Sequence, residues 1–184
     1  MASTKRMASI SIAGVMCVVA LATAAAGAHV FKSTTKGVLS GVNTNQQVFT
    51  TGAGTIECSK AVTSGTIASL ETKDQVSSVA YSTCSAFGAE AEVSTAKYDF
   101  NAEGTVTIKA EVDIKVPSLS CELKFPAQGP LTKVTYTKGG AKLEVKLAAG
   151  GIKSNGGGLC PGGTTGTYNG IELNEVAGGT LKWE

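Results

Sequence analysis

A chain of 184 residues has room for one domain with a real core. Its polar residues are mostly threonine and serine, and its 23 glycines supply turns, a mixture that favours strands over helices. The formal net charge is only +2 and Arg6 is the sole arginine, which argues against nucleic-acid binding: phosphate grip and guanine recognition lean on arginine-rich, basic surfaces.

In chain order, Lys5 and Arg6 precede an apolar run over residues 10–22, and Ala26-Gly27-Ala28 has the small-x-small pattern of a signal-peptidase site. These are the parts of a secretory signal peptide. The run is short for a spanning helix, and no charge follows it as a stop signal. Cys17 lies inside the run, whereas a lipid-attachment cysteine would end it. The expected organisation is a signal helix over residues 1–28, then a single all-β domain over residues 29–184 with no membrane segment. That domain would be neutral, with fourteen lysines against fourteen carboxylates.

Four cysteines remain after residue 28: Cys58, Cys84, Cys121 and Cys160. An even count in an exported chain predicts two disulfides. Three connectivities are open, and the sequential one, Cys58–Cys84 with Cys121–Cys160, is preferred. Each closed loop would stabilise by roughly 3–4 kcal/mol in the chain-entropy model. No C-x-x-C pair exists and the spacings are long, which does not suit zinc.

The first strand is expected over residues 29–35, followed by a polar loop over 36–46. Strands over 47–51 and 55–59 flank a turn at Gly52-Ala53-Gly54. Residues 61–69 read as a separate strand, bent at Gly65, and 70–75 as a loop or one helical turn. Strands follow over 76–83, 90–95 and 97–101, then a turn to Gly104.

The most legible stretch is 104–126. Val106, Ile108, Ala110, Val112, Ile114 and Val116 fall on every second residue, with Thr107, Lys109, Glu111, Asp113 and Lys115 between them. A period of two predicts one long strand with one face buried and one in water. Pro117-Ser118 interrupts it, and Leu119, Cys121, Leu123 and Phe125 resume the alternation.

Residues 126–130 read as a loop. Strands over 131–138 and 141–148 flank Gly139-Gly140, a tight-hairpin signal that would pair Tyr136 with Leu143 and Val134 with Val145. Residues 150–163 are Gly-rich and are expected to form a long loop. Asn169-Gly170 signals another hairpin within 164–175, and Gly178-Gly179 turns into a last strand over 180–184. About ten to twelve short antiparallel strands make a disulfide-stapled β-sandwich or closed barrel.

Several of these motifs recur together. Val48-Phe49-Thr50-Thr51, Gly54-Thr55-Ile56-Glu57-Cys58, Tyr81, Cys84-Ser85-Ala86-Phe87-Gly88, Phe125-Pro126-Ala127-Gln128 and Cys160-Pro161 form a pattern that resembles a group of uncharacterised exported all-β proteins of soil actinobacteria. The resemblance covers most of residues 29–184. It implies export and an all-β fold, and carries no activity. Relatives carry further cysteines between the second and third found here. This chain has Ala96-Lys97-Tyr98 in that interval and lacks any such crosslink.

Candidate chemistry is sparse. His29, the only histidine, could chelate copper as a mature amino terminus, but such sites need a second imidazole. With no other histidine, the sequence argues against a Ser–His–Asp triad. Ser33-Thr34-Thr35-Lys36 and Ser94-Thr95-Ala96-Lys97 match S-x-x-K, yet both stand in extended segments rather than opening a helix. Glu90 with Glu92, Glu111 with Asp113 and Glu172 with Glu175 are the carboxylate pairs a glycosidase would need. The first two pairs belong to the wet side of their alternations. Trp183 and Tyr168 are the aromatics available to a sugar. Gly150-Gly151 and Gly156-Gly157-Gly158 lack the G-K-[ST] ending and the following helix of a phosphate loop.

The sequence thus points to an exported, non-catalytic domain with a binding or structural role and no cofactor or metal. Its partner would be an extracellular protein, a cell-wall component or a small apolar ligand. A carrier of a small apolar ligand is the alternative, and a secreted hydrolase the third reading. A well-formed apolar pocket would favour the carrier. A filled core with an apolar patch outside would favour an interaction protein.

Overall fold

The computed structural model describes residues 28–160 and 164–184. The signal-peptide reading, apart from Ala28, and Pro161 lie outside the described residues. Sixteen strands form among those described. The first eight are β1 (Phe31–Ser33), β2 (Gly37–Asn43), β3 (Gln47–Thr51), β4 (Gly54–Ile67), β5 (Glu71–Thr72), β6 (Asp74–Ala86), β7 (Ala89–Val93) and β8 (Ala96–Asn101). The others are β9 (Thr105–Ile108), β10 (Val112–Val116), β11 (Cys121–Phe125), β12 (Gln128–Thr132), β13 (Val134–Gly139), β14 (Lys142–Gly158), β15 (Thr164–Val176) and β16 (Leu181–Trp183).

The fold is all-β and antiparallel, and its large sheet closes on itself. Long strands β4, β6, β14 and β15 form the frame. Short strands lie end to end in pairs between them. β3 and β2 occupy successive halves of the gap between β15 and β4. β4 pairs with β6, whose other edge carries β8 and then β7. From β7 the ladder passes to β10, β11 and the end of β14, which returns to β15. That half is a complete ring of hydrogen bonds. In the other half, β8 passes to β9 and β9 to β12. There a side chain replaces the ladder. The Gln128 amide donates to the Lys153 carbonyl at 2.9 Å and accepts from its N–H at 2.7 Å. β13 pairs with the first part of β14. The result is a ring of strands rather than a regular barrel.

Closing a sheet forces its strands to bend, and bulges concentrate the bending. Here the bends fall side by side around the ring. Residues 44–46, 94–95, 109–111 and 126–127 separate the end-to-end short strands. At the same line β4 exposes both Ser59 and Lys60, and β6 exposes both Ser82 and Thr83, with Thr83 at φ 52°. The β14 register slips between Gly150 and Ile152.

This line corrects the long strand expected over 106–116. It is two strands, β9 and β10, with Ala110 exposed in the break. Val106, Ile108, Val112, Ile114 and Val116 are nonetheless all buried, because the break preserves the parity of the alternation. Leu119 does not join the inward set. It sits exposed in a 3₁₀ turn, Pro117–Leu119.

Other expectations are corrected by pairing partners that local pattern does not reveal. The expected loops over 36–46, 126–130 and 150–163 contain β2, the start of β12 and the last residues of β14. The strands over 55–59 and 61–69 are one strand, β4, and 70–75 holds β5 and the start of β6. Asn169-Gly170 is no hairpin but lies inside β15. Gly170 lacks a side chain because the Gln47 amide occupies the place of a Cβ. The turn before β14 is Gly140-Ala141, with Gly139 opposite Lys142. Tyr136 therefore faces Val145 and Val134 faces Leu147, two residues from the expected register and on the same faces. Gly140 has φ 69° while Ala141 has no positive φ, as in a II′ turn rather than I′.

Both expected disulfides are present, Cys58–Cys84 and Cys121–Cys160. Cys58 and Cys84 are direct partners across β4 and β6. A small sheet of β16, β1 and β5 covers one end of the ring. Phe31, Ile67 and Leu181 are buried under it. Phe31 meets the Tyr136 ring edge-on at 4.9 Å, and the Trp183 indole donates to the Ala102 carbonyl at 2.7 Å.

The two faces around the break should respond oppositely to substitution. Ile108→Asp or Val112→Asp puts an unpaired charge in the core and should abolish the folded state or cost more than about 4 kcal/mol. Lys109→Asp and Glu111→Lys disturb only exposed ion pairs, to Asp99 and Lys124. They should change stability by less than about 1 kcal/mol. Urea unfolding of the four variants measures the contrast.

Candidate functional site

The catalytic candidates are dispersed or engaged. His29 is exposed and stacked on Trp183 at 4.3 Å between ring centroids, and its backbone N–H donates to Glu103. No cluster of three or more histidine, cysteine or carboxylate groups suited to a metal occurs among the described residues. Ser33 donates its hydroxyl to the Thr35 carbonyl, and Ser94 accepts from the Asp113 N–H. Glu90 and Glu92 are exposed, while Glu111 and Asp113 share Lys124 at 3.6 and 3.7 Å. Glu172 and Glu175 stand three apart on a strand, so they face opposite ways: Glu172 inward at 2 % exposure, Glu175 outward against Lys142. Neither aromatic offers a flat platform. Tyr168 is buried, and Trp183 is half-buried between His29 and Tyr136. The glycine runs lie in β14.

The interior holds a connected polar network. Tyr81 shares a hydrogen bond with Tyr98 at 2.9 Å and donates to Tyr168 at 3.3 Å. Tyr168 donates to the Gln47 side-chain oxygen. The Gln47 amide then donates to the carbonyls of Asn45 and Ile171. The chain of hydroxyls thus ends on backbone at the line of breaks. Burial pushes the phenols of Tyr81, Tyr98 and Tyr168 well above the ordinary range, so they remain neutral donors. Nearby, Thr63 donates to Glu172 at 2.6 Å. Burial raises the Glu172 pKa, opposed by hydrogen bonds from Thr63 and Asn174.

The interior holds cavities of about 30 Å³ and about 20 Å³. Ser77 Oγ and Asn174 Oδ1, both buried without a protein partner, belong to residues lining the first. It is large enough for a water molecule and far too small for an apolar ligand.

The open end of the ring carries a different feature. Three connections and the end of β14 meet there: Gly52-Ala53, Phe87-Gly88, residues 117–120 and Gly158-Leu159-Cys160. They border a cleft of about 210 Å³ lined by Ala53, Phe87, Leu119, Leu159 and the Cys121–Cys160 disulfide. No lining side chain is charged. Leu159 is 80 % exposed, Phe87 39 % and Leu119 37 %, although each is large and apolar. Such residues clustered together mark an interaction surface more often than when scattered.

The cleft is built rather than incidental. Phe87 has φ 55°, a conformation that a bulky residue adopts at a cost of about 1–3 kcal/mol. Its ring packs over Gly54, where a Cβ would come within 2.6 Å of it. Leu159 is held by its N–H donating to the Ser120 carbonyl at 3.2 Å, and Cys160 by a bond to Gly157 and the disulfide. At Gly158, φ 66°, a Cβ would collide with the Ser120 carbonyl. No family model, curated protein or solved structure matches the chain.

Sequence reasoning placed the disulfide but missed the cleft. The available signal was the three large apolar residues isolated in Gly-, Ser- and Pro-rich turns, at Phe87, Leu119 and Leu159.

Glu172 yields a pH prediction. Its raised pKa means that the folded chain holds this proton more tightly than the unfolded chain does. Its contribution is fully present below the ordinary glutamate value of about 4.3 and is lost as pH rises through the folded value. Glu172→Gln, fixed neutral, should gain stability relative to wild type as pH increases over that window. The difference between their urea midpoints at pH 4 and pH 8 measures it.

Proposed function

We propose that the protein is exported and acts outside the cell by binding, without catalysis, a partner that presents apolar side chains to the open-end cleft. The observation that carries this reading is the cluster of exposed Phe87, Leu119 and Leu159 on a disulfide-pinned rim, set against an interior filled by side chains. Two disulfides fit an oxidising compartment. The apparent signal peptide and the resemblance to exported actinobacterial β-proteins support secretion. Dispersed carboxylates and a single stacked histidine support a non-catalytic role over the hydrolase reading. An extracellular protein fits the cleft better than a carried small molecule, because the interior cavities cannot enclose one.

Full-length chain expressed in a secreting host provides the test. It should appear in the medium beginning at or near His29. An apolar fluorescent dye, anilinonaphthalene sulfonate, should bind it near one per chain. Leu119→Ser combined with Leu159→Ser should weaken that binding about tenfold with the unfolding temperature unchanged. Retention of Met1 on the active protein, or dye binding indifferent to the double variant, would contradict the reading.

A further inference from the structure

The outer face of β2, β4 and β6 bears an unusual array. Val42 lies directly across from Val62, and Ser40, Ser64 and Ser78 form one row across the three strands. Val38 and Val76 lie beyond that row, and Val62 pairs onward with Ala80. The four valines are each roughly half exposed. No charge lies within this patch. In a neutral surface laced with lysine and glutamate, a charge-free sheet face of this kind is a surface awaiting a flat, similar partner.

Charges border the patch at Lys60, two residues from Val62 on β4, at Asp99, which lies across from Val76 and is held by Lys109, and at both ends of the serine row, where they have opposite signs. Glu175 on β15 pairs with Ser40, and Lys97 on β8 pairs with Ser78. The row therefore reads Glu175, Ser40, Ser64, Ser78, Lys97, with Ser64 at its centre. Lys97 forms no ion pair among the described residues, and Glu175 meets Lys142 at 2.8 Å on the side away from the patch centre.

We propose that a second copy of this chain docks on this face, related by a two-fold axis running along β4. That axis reverses the row, so each Glu175 faces the other copy's Lys97. The alternative in-plane axis, along the row, would set Glu175 against Glu175 and Lys97 against Lys97. The charges at the two ends of the row thus select the first arrangement, in which Lys60 of β4 meets its own copy beyond the valines, and give an isologous dimer with two cross-interface ion pairs. Uncharged valine and serine sides of the two sheets pack between them, as aligned sheets do.

The axis also preserves strand direction. The open-end clefts, at the start of β4 and the end of β6, would therefore point to the same side, and the dimer would engage a surface through two sites at once. That consequence rests on the proposed function, whereas the dimer itself does not depend on what the cleft binds.

Sedimentation velocity of the secreted protein across a concentration series tests it. Wild type should form dimers, and Val62→Lys at the patch centre should leave monomers. Lys97→Glu and Glu175→Lys should each weaken the dimer about tenfold or more by facing like charges. The double swap should restore it, a rescue that loss of the Lys142 contact cannot produce. Circular dichroism confirms that each variant is folded. A wild type monomeric at every concentration, a dimer indifferent to Val62→Lys, or a double swap as weak as the single ones would overturn the proposal. Loss of dye binding at Leu119 and Leu159 with dimerisation intact would leave it standing and remains a separate test of the cleft.

Discussion

The constraint on which this fold depends is closure of the sheet. The strands of the ring partner one another all the way around, and they must bend to bring it closed. The bends gather on one line, where short strands meet end to end and long ones bulge. Bulges leave backbone groups out of the ladder, so polar side chains must reach them. Gln47 does this from inside, bonding the carbonyls of Asn45 and Ile171, and is itself held by Tyr168. Asn43 accepts from the Ala61 N–H, and Gln128 takes both backbone groups of Lys153 at the seam. The buried tyrosines and amides thus serve the bend, and burial keeps their hydroxyls neutral.

Legibility in the sequence followed the same division. Away from the line, side-chain period and structure agree: Val112, Ile114 and Val116 and then Cys121, Leu123 and Phe125 turn inward as alternation requires. The line itself is illegible, because a break that preserves parity leaves the apolar spacing intact, as at Lys109 to Glu111. Glycine was the chief source of error. Gly170 looks like turn punctuation, but serves close approach by Gln47. The glycines after residue 150 look like a loop, yet extend β14 against β15 and β11. Period-two reasoning sees one strand at a time, and these residues answer to neighbours on other strands, as far away in sequence as Gln47 is from Gly170.

The formation of two disulfides was legible because it depends on count and compartment, whereas the sequential pairing was a preference among three connectivities that the structure bears out. What the count could not show is their division of labour. Cys58–Cys84 ties two paired strands inside the ring beside the line of bends. Cys121–Cys160 fixes the rim of the open end. One end is closed by β1, β5 and β16, with Phe31 and Leu181 buried beneath them. The other exposes Phe87, Leu119 and Leu159. On the proposed function, a filled interior, one covered end and one apolar end put recognition on the surface, with the strand frame as a rigid support for the turns.

Residue-resolved amide hydrogen exchange tests ring closure most directly. The account predicts that amides of β10 and β11, and those of β14 that face β11, are protected to the same order as those of β4 and β6. It also predicts slow exchange at Lys153, whose N–H is held by Gln128, and selective loss of that protection in Gln128→Ala. Fast exchange along all of β11 and the facing edge of β14 would mean an open sheet with two free edges, and the closed ring would be wrong.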